Sequence, residues 1–106
     1  MPFQVIFDGR AECDIHNYER RLAKISNSIL KRWRTRLLKT VDQLESDPQR
    51  FPESYEAEAL GIPLRDAYFG QYPHLYRLVF AVIGNDRVHV LRVRHSAQDW
   101  ITNDDL

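Results

Sequence analysis

The sequence predicts an α+β fold in which two helices pack on one face of a single antiparallel-rich sheet. Two changes of hydrophobic period predict it. Apolar residues recur at steps of three or four from Asp14 to Leu44, then switch to period two from Pro63 to His95. A short β-branched and aromatic run precedes both. The element order is therefore strand, helix, helix, and a three-stranded antiparallel meander.

Each element has its own warrant. PFQVIF has strand composition, and FDGR after it supplies turn chemistry. Ile15, Tyr18, Leu22, Ile25, Ile29, Trp33, Leu37, Val41 and Leu44 form one buried helical stripe. Ser26, Asn27 and Ser28 interrupt it with poor helix formers that favour caps and turns, which predicts a helical hairpin rather than one rod. Pro48 ends the second helix, Pro52 keeps the connection extended, and an acidic loop runs to Gly61. PLRDAYFG, LYRLVFAVIG and RVHVLRVRH are the three later strands, the last two joined by Gly84, Asn85 and Asp86 as a hairpin turn.

In the middle strand Tyr76, Leu78, Phe80 and Val82 share one face, while Leu75, Arg77, Val79, Ala81 and Ile83 share the other. Both faces are largely apolar, which predicts a central position with one face under the helices. In the last strand His89, Leu91, Val93 and His95 alternate with Val88, Val90, Arg92 and Arg94, a pattern that by itself reads as a charged edge strand.

Composition narrows the function classes. With 106 residues, 43% hydrophobic and 28% charged, the chain is expected to form one domain, residues 1–106, with a single core. No apolar run approaches membrane-spanning length, and MPFQVIFDGR lacks the basic and long apolar regions of a secretory signal, so a soluble, cytoplasmic protein is expected. Cys13 is the single cysteine, which excludes an internal disulfide and a cysteine-based zinc site. Net charge is zero but unevenly spread. Eight basic residues and no acid lie between Arg20 and Lys39, whereas seven acids face two arginines from Asp42 to Asp66. Such a split either steers an acidic partner to one face or marks a solvated helix surface.

Arg77 inside an apolar strand demands a reason, since a buried guanidinium is costly without a partner. One reading is a fork of donors for phosphate or carboxylate on an open sheet face; the other is a pair with a nearby acid such as Asp66, or snorkelling to the sheet edge. Arg65, Arg92 and Arg94 raise the same question less forcefully, and for Arg92 a charge that blocks edge association suffices. His95 closes the last strand four residues before Asp99, placed for proton transfer if it is not structural. Tyr68, Tyr72 and Tyr76 fit either base stacking or packing. His16, His74 and His89 lack metal-ligand spacing, and no Gly-rich phosphate loop or nucleophile elbow appears, so no metal or cofactor is expected.

The final hairpin YRLVFAVIGNDRVHVLRVRH, with ALGIPLRDAYFG before it, resembles the RelE/ParE superfamily of toxins from bacterial type II toxin–antitoxin pairs, and the resemblance runs through the whole chain. It implies a RelE-like fold, a cognate antitoxin whose C-terminal segment wraps the toxin in a hetero-oligomer, and one of two activities. RelE-like members cut mRNA on the ribosome with basic side chains and no metal; ParE-like members bind DNA gyrase and block it. Carried over by position, Arg77 falls on the arginine of the YRLVF motif. PLRDAYFG offers Arg65 but no lysine pair, and SAQDWITNDDL holds no late tyrosine, leaving His95 as the general-base candidate. RVRHSAQD, by contrast, resembles the RVxHxxxD pattern of the ParE-like side. The resemblance therefore implies a gyrase-binding toxin with Arg65, Tyr76, Arg92, Arg94 and Asp99 as binding residues. The alternative it allows is a ribosome-dependent ribonuclease in which Arg77 stabilises phosphate and His95 moves the proton.

Overall fold

The computed structural model describes residues 2–71, 74–96 and 101–106. The elements are β1 (Gln4–Phe7), α1 (Gly9–Ile25), α2 (Asn27–Ser46), α3 (Ala57–Leu60), β2 (Arg65–Gln71), β3 (His74–Ile83) and β4 (Arg87–His95), with 3₁₀ turns at Pro48–Arg50 and Asn103–Asp105. Asp8 and Gly9 do not form the separate turn expected of them. The Asp8 carboxylate accepts from the Arg10 N–H at 3.0 Å and caps α1, which starts five residues before Asp14. Asp before Gly suits a helix start as well as a turn, and only the chain that follows decides between them.

Ser26 is the whole connection between the two long helices. Its extended backbone (φ −169°) ends α1, and its Oγ accepts from the Ser28 and Ile29 N–H groups to begin α2. Tyr18 and Trp33, nearly equidistant from Ser26 in sequence, meet with ring centroids 6.4 Å apart, so the helices fold back as the expected hairpin.

The sheet order is β1-β4-β3-β2, with β1 parallel to β4 and the other pairs antiparallel. The fold is thus α+β with a mixed sheet. β3 is central as expected. β4 is no edge strand: β1 pairs with its first half, and where β1 stops, the Asp14 carboxylate of α1 accepts the Val93 N–H at 3.0 Å. A four-residue strand separated from β4 by the whole hairpin leaves no local signal of that pairing.

One face of the sheet carries Phe69, Tyr76, Leu78, Phe80, Val88, Val90 and Val93 into a core with Tyr18, Trp33, Leu37 and Leu44 of the helices. The opposite face, expected to be open, is covered. Ala57 from the acidic loop, Leu64 just before β2 and Ile101 from the C-terminal segment pack on Val79 and Ala81, and Leu64, Val79 and Ile101 are fully buried. The acidic loop's apolar residues are too sparse to display a period, which is why composition alone reads it as solvated.

A β-bulge corrects the alternation read along β4. Phe80 faces Val90 but Val79 faces Arg92, so Leu91 is an extra residue. Leu91 and Arg92 both fall on the second face. Val88 and Val90 before the bulge, and Val93 and His95 after it, share the helix-covered face; His89, Arg92 and Arg94 do not.

Candidate partner-binding groove and a locked arginine

The β3–β4 register separates the residues singled out in the sequence into two groups. Arg77 pairs across the ladder with Arg94 on the second face, whereas Tyr76 pairs with His95 on the helix face. Arg77 and His95 therefore point to opposite sides of the sheet. The ribonuclease alternative needs both at one phosphate, and the strand geometry does not bring them together.

Arg77 is 4% exposed, and both of its terminal nitrogens are engaged. Its Nη1 donates to Glu56 Oε1 at 2.8 Å and to both Asp66 oxygens at 3.1 Å, its Nη2 donates to Glu56 Oε2, and the Tyr55 ring covers the guanidinium at 4.8 Å. The acids are satisfied in turn. Ser54 Oγ donates to Asp66 Oδ1 at 2.5 Å, and the Ile101 N–H donates to Glu56 Oε2 at 2.9 Å. Burial disfavours the charges of both Arg77 and Glu56, yet the hydrogen bonds and charges exchanged between them outweigh it, raising the arginine pKa and lowering the glutamate's. The pairing reading of Arg77 is the one the geometry bears out, with Glu56 as an additional partner. Glu56 had no signal in the sequence, because it lies 21 residues away in the loop.

The other expected binding residues divide similarly. Arg65 donates to the Phe51 carbonyl at 2.6 Å and fastens the loop to β2. Arg92 forks onto Asp14 at 2.7 and 2.8 Å and reaches the Asp105 carbonyl at 2.9 Å. Its pKa is raised first by the hydrogen bond to Asp14, against its burial. The edge-blocking role expected of it is thus replaced by a half-buried ion pair. Arg94 reaches Asp105 at 3.3 Å. Asp99 and Tyr72 lie outside the described residues. Tyr68 stays half exposed on the second face.

Tyr76 and His95 belong to a groove where the helical hairpin meets the end of the sheet. The cavity holds about 670 Å³. Its floor is Tyr18, Trp33 and Tyr76, its helix walls include Leu22, Ile25 and Ile29, and its rim carries Arg21, Arg32, Arg36, His74 and His95. Tyr76 meets Tyr18, Trp33 and His95 edge-on at 5.1, 5.6 and 4.8 Å, a rigid aromatic floor that the helical stripe and β3 supply together. The Tyr18 hydroxyl accepts the His95 N–H at 3.1 Å. Ile25 is 69% exposed at the lip, and the Trp33 indole N–H is buried without a hydrogen-bond acceptor among the described residues. Three of the eight basic residues of the Arg20–Lys39 run thus face this groove, and Arg34 instead pairs with Glu19 at 2.5 Å.

Gly70 shapes the far end. Its φ of +98° is a glycine conformation, and a Cβ there would lie 2.5 Å from the His74 carbonyl oxygen. Among the described residues no cluster of ligating side chains could hold a metal, and no helix is long and apolar enough to cross a membrane.

The family is decided by a match over residues 5–100 to the model of the ParE toxin of type II toxin–antitoxin systems, parDE. The chain belongs to the ParE toxin family. The span runs from β1 through the last strand, so it takes in the helical hairpin, the groove and the arginine lock together. Comparison with curated proteins found none that matches. This ParE-family protein is the toxin half of a type II pair, and such a pair implies a cognate antitoxin.

Proposed function

We propose that this toxin acts by binding DNA gyrase and blocking it, without cutting RNA, and that its antitoxin neutralises it by laying an apolar, acidic segment into the groove. Membership of the ParE family supports gyrase as the target. The observation that carries the non-catalytic reading is the Arg77 lock. A phosphate-stabilising arginine must present its terminal donors, and the Nη1 and Nη2 groups of Arg77 are held by two buried carboxylates on the face away from His95. The groove supports the antitoxin reading: it is apolar along its length and cationic at its rim, the chemistry that holds an amphipathic segment with acids on its flank. Both events place the toxin in the cytoplasm, in a hetero-oligomer with its antitoxin.

The experiment is a pair of assays on one preparation. Purified toxin inhibits supercoiling by gyrase, and mRNA on the ribosome stays intact. Ribosome-dependent cleavage that disappears in Arg77→Ala, with gyrase unaffected, would overturn the proposal.

A further inference from the structure

The basic run of the helical hairpin is only partly used by the groove. Arg21, Arg32 and Arg36 line the groove, and Arg34 is paired with Glu19. Arg20 and Lys24 of α1 and Lys31 and Lys39 of α2 remain. All four are exposed, and none has an ion pair or a side-chain hydrogen bond among the described residues. Arg77, Arg92 and Arg94 of the sheet, by contrast, each have an acid. Each of the four lies two residues from a side chain of the hairpin's inner face: Arg20 from Tyr18, Lys24 from Leu22, Lys31 from Trp33 and Lys39 from Leu37. At about 100° per residue that is about 200° around the helix, so all four stand on the hairpin's outer face. Along the axes Lys24 follows Arg20 by about 6 Å, and Lys39 follows Lys31 by about 12 Å. No acid interrupts the run, and α2 starts at the hairpin tip with no acid in its first turn, so its positive end adds to the same potential. All fifteen acids of the chain and seven of its fifteen bases lie outside the run, which leaves the rest of the molecule net negative.

An outward face of exposed, unpaired cations is poorly suited to a second protein. Protein interfaces have an apolar centre, whereas the exposed neighbours Ala23, Asn27, Ser28 and Thr35 are small or polar, and Leu38 is a single apolar side chain. The face suits a chain of phosphates better. Each lysine or arginine set against a phosphate releases a condensed counterion, which drives binding with no pocket and no base contact. We propose that the outer face of the hairpin, through Arg20, Lys24, Lys31 and Lys39, holds the phosphate backbone of duplex DNA without reading its sequence. The toxin bound to gyrase then also grips the DNA on which gyrase works, a step that rests on gyrase being the target. None of the four cations lines the groove, so DNA and the antitoxin segment occupy different surfaces. The net negative remainder of the chain is repelled by the same phosphates, which turns this face toward the duplex.

The test uses the full chain and fluorescein-labelled duplexes of two unrelated sequences, followed by anisotropy across a salt series. Both duplexes bind alike. Four phosphate contacts give a slope of about −3.6 in log affinity against log salt, a loss of roughly 100-fold between about 50 and 200 mM salt. Lys24→Gln makes that slope shallower by about one, and the quadruple variant Arg20→Gln, Lys24→Gln, Lys31→Gln, Lys39→Gln loses binding. The four positions are exposed, so the variants keep the fold; if the quadruple variant is unfolded by circular dichroism, the four single variants supply the slopes instead. In a second arm, adding duplex tightens capture of the parent toxin by immobilised gyrase and leaves capture of the quadruple variant unchanged. No binding of duplex near 50 mM salt, an affinity indifferent to salt, or undiminished binding by a folded quadruple variant overturns the face. Stronger capture by phosphatidylglycerol vesicles than by duplex at the same salt assigns the cations to a membrane surface and overturns it too. Supercoiling inhibition reports separately: if it persists while duplex fails to bind, the face is wrong and the proposed function stands, and if duplex binds while gyrase is untouched, the face stands and the proposed function fails.

Discussion

Replacing Arg77 with methionine removes one cation from between two carboxylates that have almost no access to water. Glu56 is 0% exposed and Asp66 2% exposed, and four guanidinium hydrogen bonds disappear together. Breaking a buried pair by deleting one partner costs about 3–5 kcal/mol, because the remaining charge stays buried and uncompensated. In a domain whose total stability is about 5–15 kcal/mol, that is a large share. At roughly 4–8 °C per kcal/mol for a chain near this size, the melting temperature falls by about 12–40 °C. Thermal denaturation followed by tryptophan fluorescence measures the melting temperature, and urea denaturation measures the free-energy loss. A companion double variant, Arg77→Met with Glu56→Gln, removes one stranded charge and recovers part of the loss, so the two substitutions are non-additive. If Arg77→Met instead unfolds within about 1 kcal/mol of the parent but abolishes toxicity, Arg77 is a functional donor and the lock is not its purpose.

Acid should weaken the same lock. The Glu56 pKa is lowered on folding, so its contribution is present above the unfolded carboxylate value near 4.3 and lost as pH falls through the lower folded value; the urea midpoint therefore drops below about pH 4. Gly70→Ala places a methyl group against the His74 carbonyl in a left-handed conformation and destabilises by about 1–3 kcal/mol, visible as a lower urea midpoint. Ser26→Ala removes the cap that starts α2 and costs about 1 kcal/mol; loss smaller than about 0.3 kcal/mol in the same measurement would show that the link is held by packing alone. Raising salt from 0.05 to 0.5 M weakens the toxin–antitoxin complex measurably in calorimetry, since Arg21, Arg32 and Arg36 lie at the groove rim where ions screen them.

Periodicity carried most of the architecture. The stripe from Ile15 to Leu44 and the break at Ser26 are local patterns, and hydrophobic burial enforces both, so hairpin and meander are readable without coordinates. The site was less legible because its decisive contacts are distant in sequence. Glu56 meets Arg77 across 21 residues and Asp14 meets Arg92 across 78, and neither acid sits in a pattern that announces a partner. The basic run was visible, but which of its members face the groove depends on where β2 and β3 end. Counting alternate residues along β4 failed for a different reason. A single inserted residue changes parity without changing composition.

That insertion bears on how relatives should be compared. Because Leu91 and Arg92 lie on the same face, removing one of them from the chain would restore ordinary pleating and leave Val93, Arg94 and His95 facing as they do now. Two family members can therefore differ by one residue between their VxV and RVxH segments and still present the same histidine to the groove. An alignment that forces those segments into a fixed spacing would pair residues that occupy opposite sides of the sheet, and would mistake a conserved surface for a divergent one.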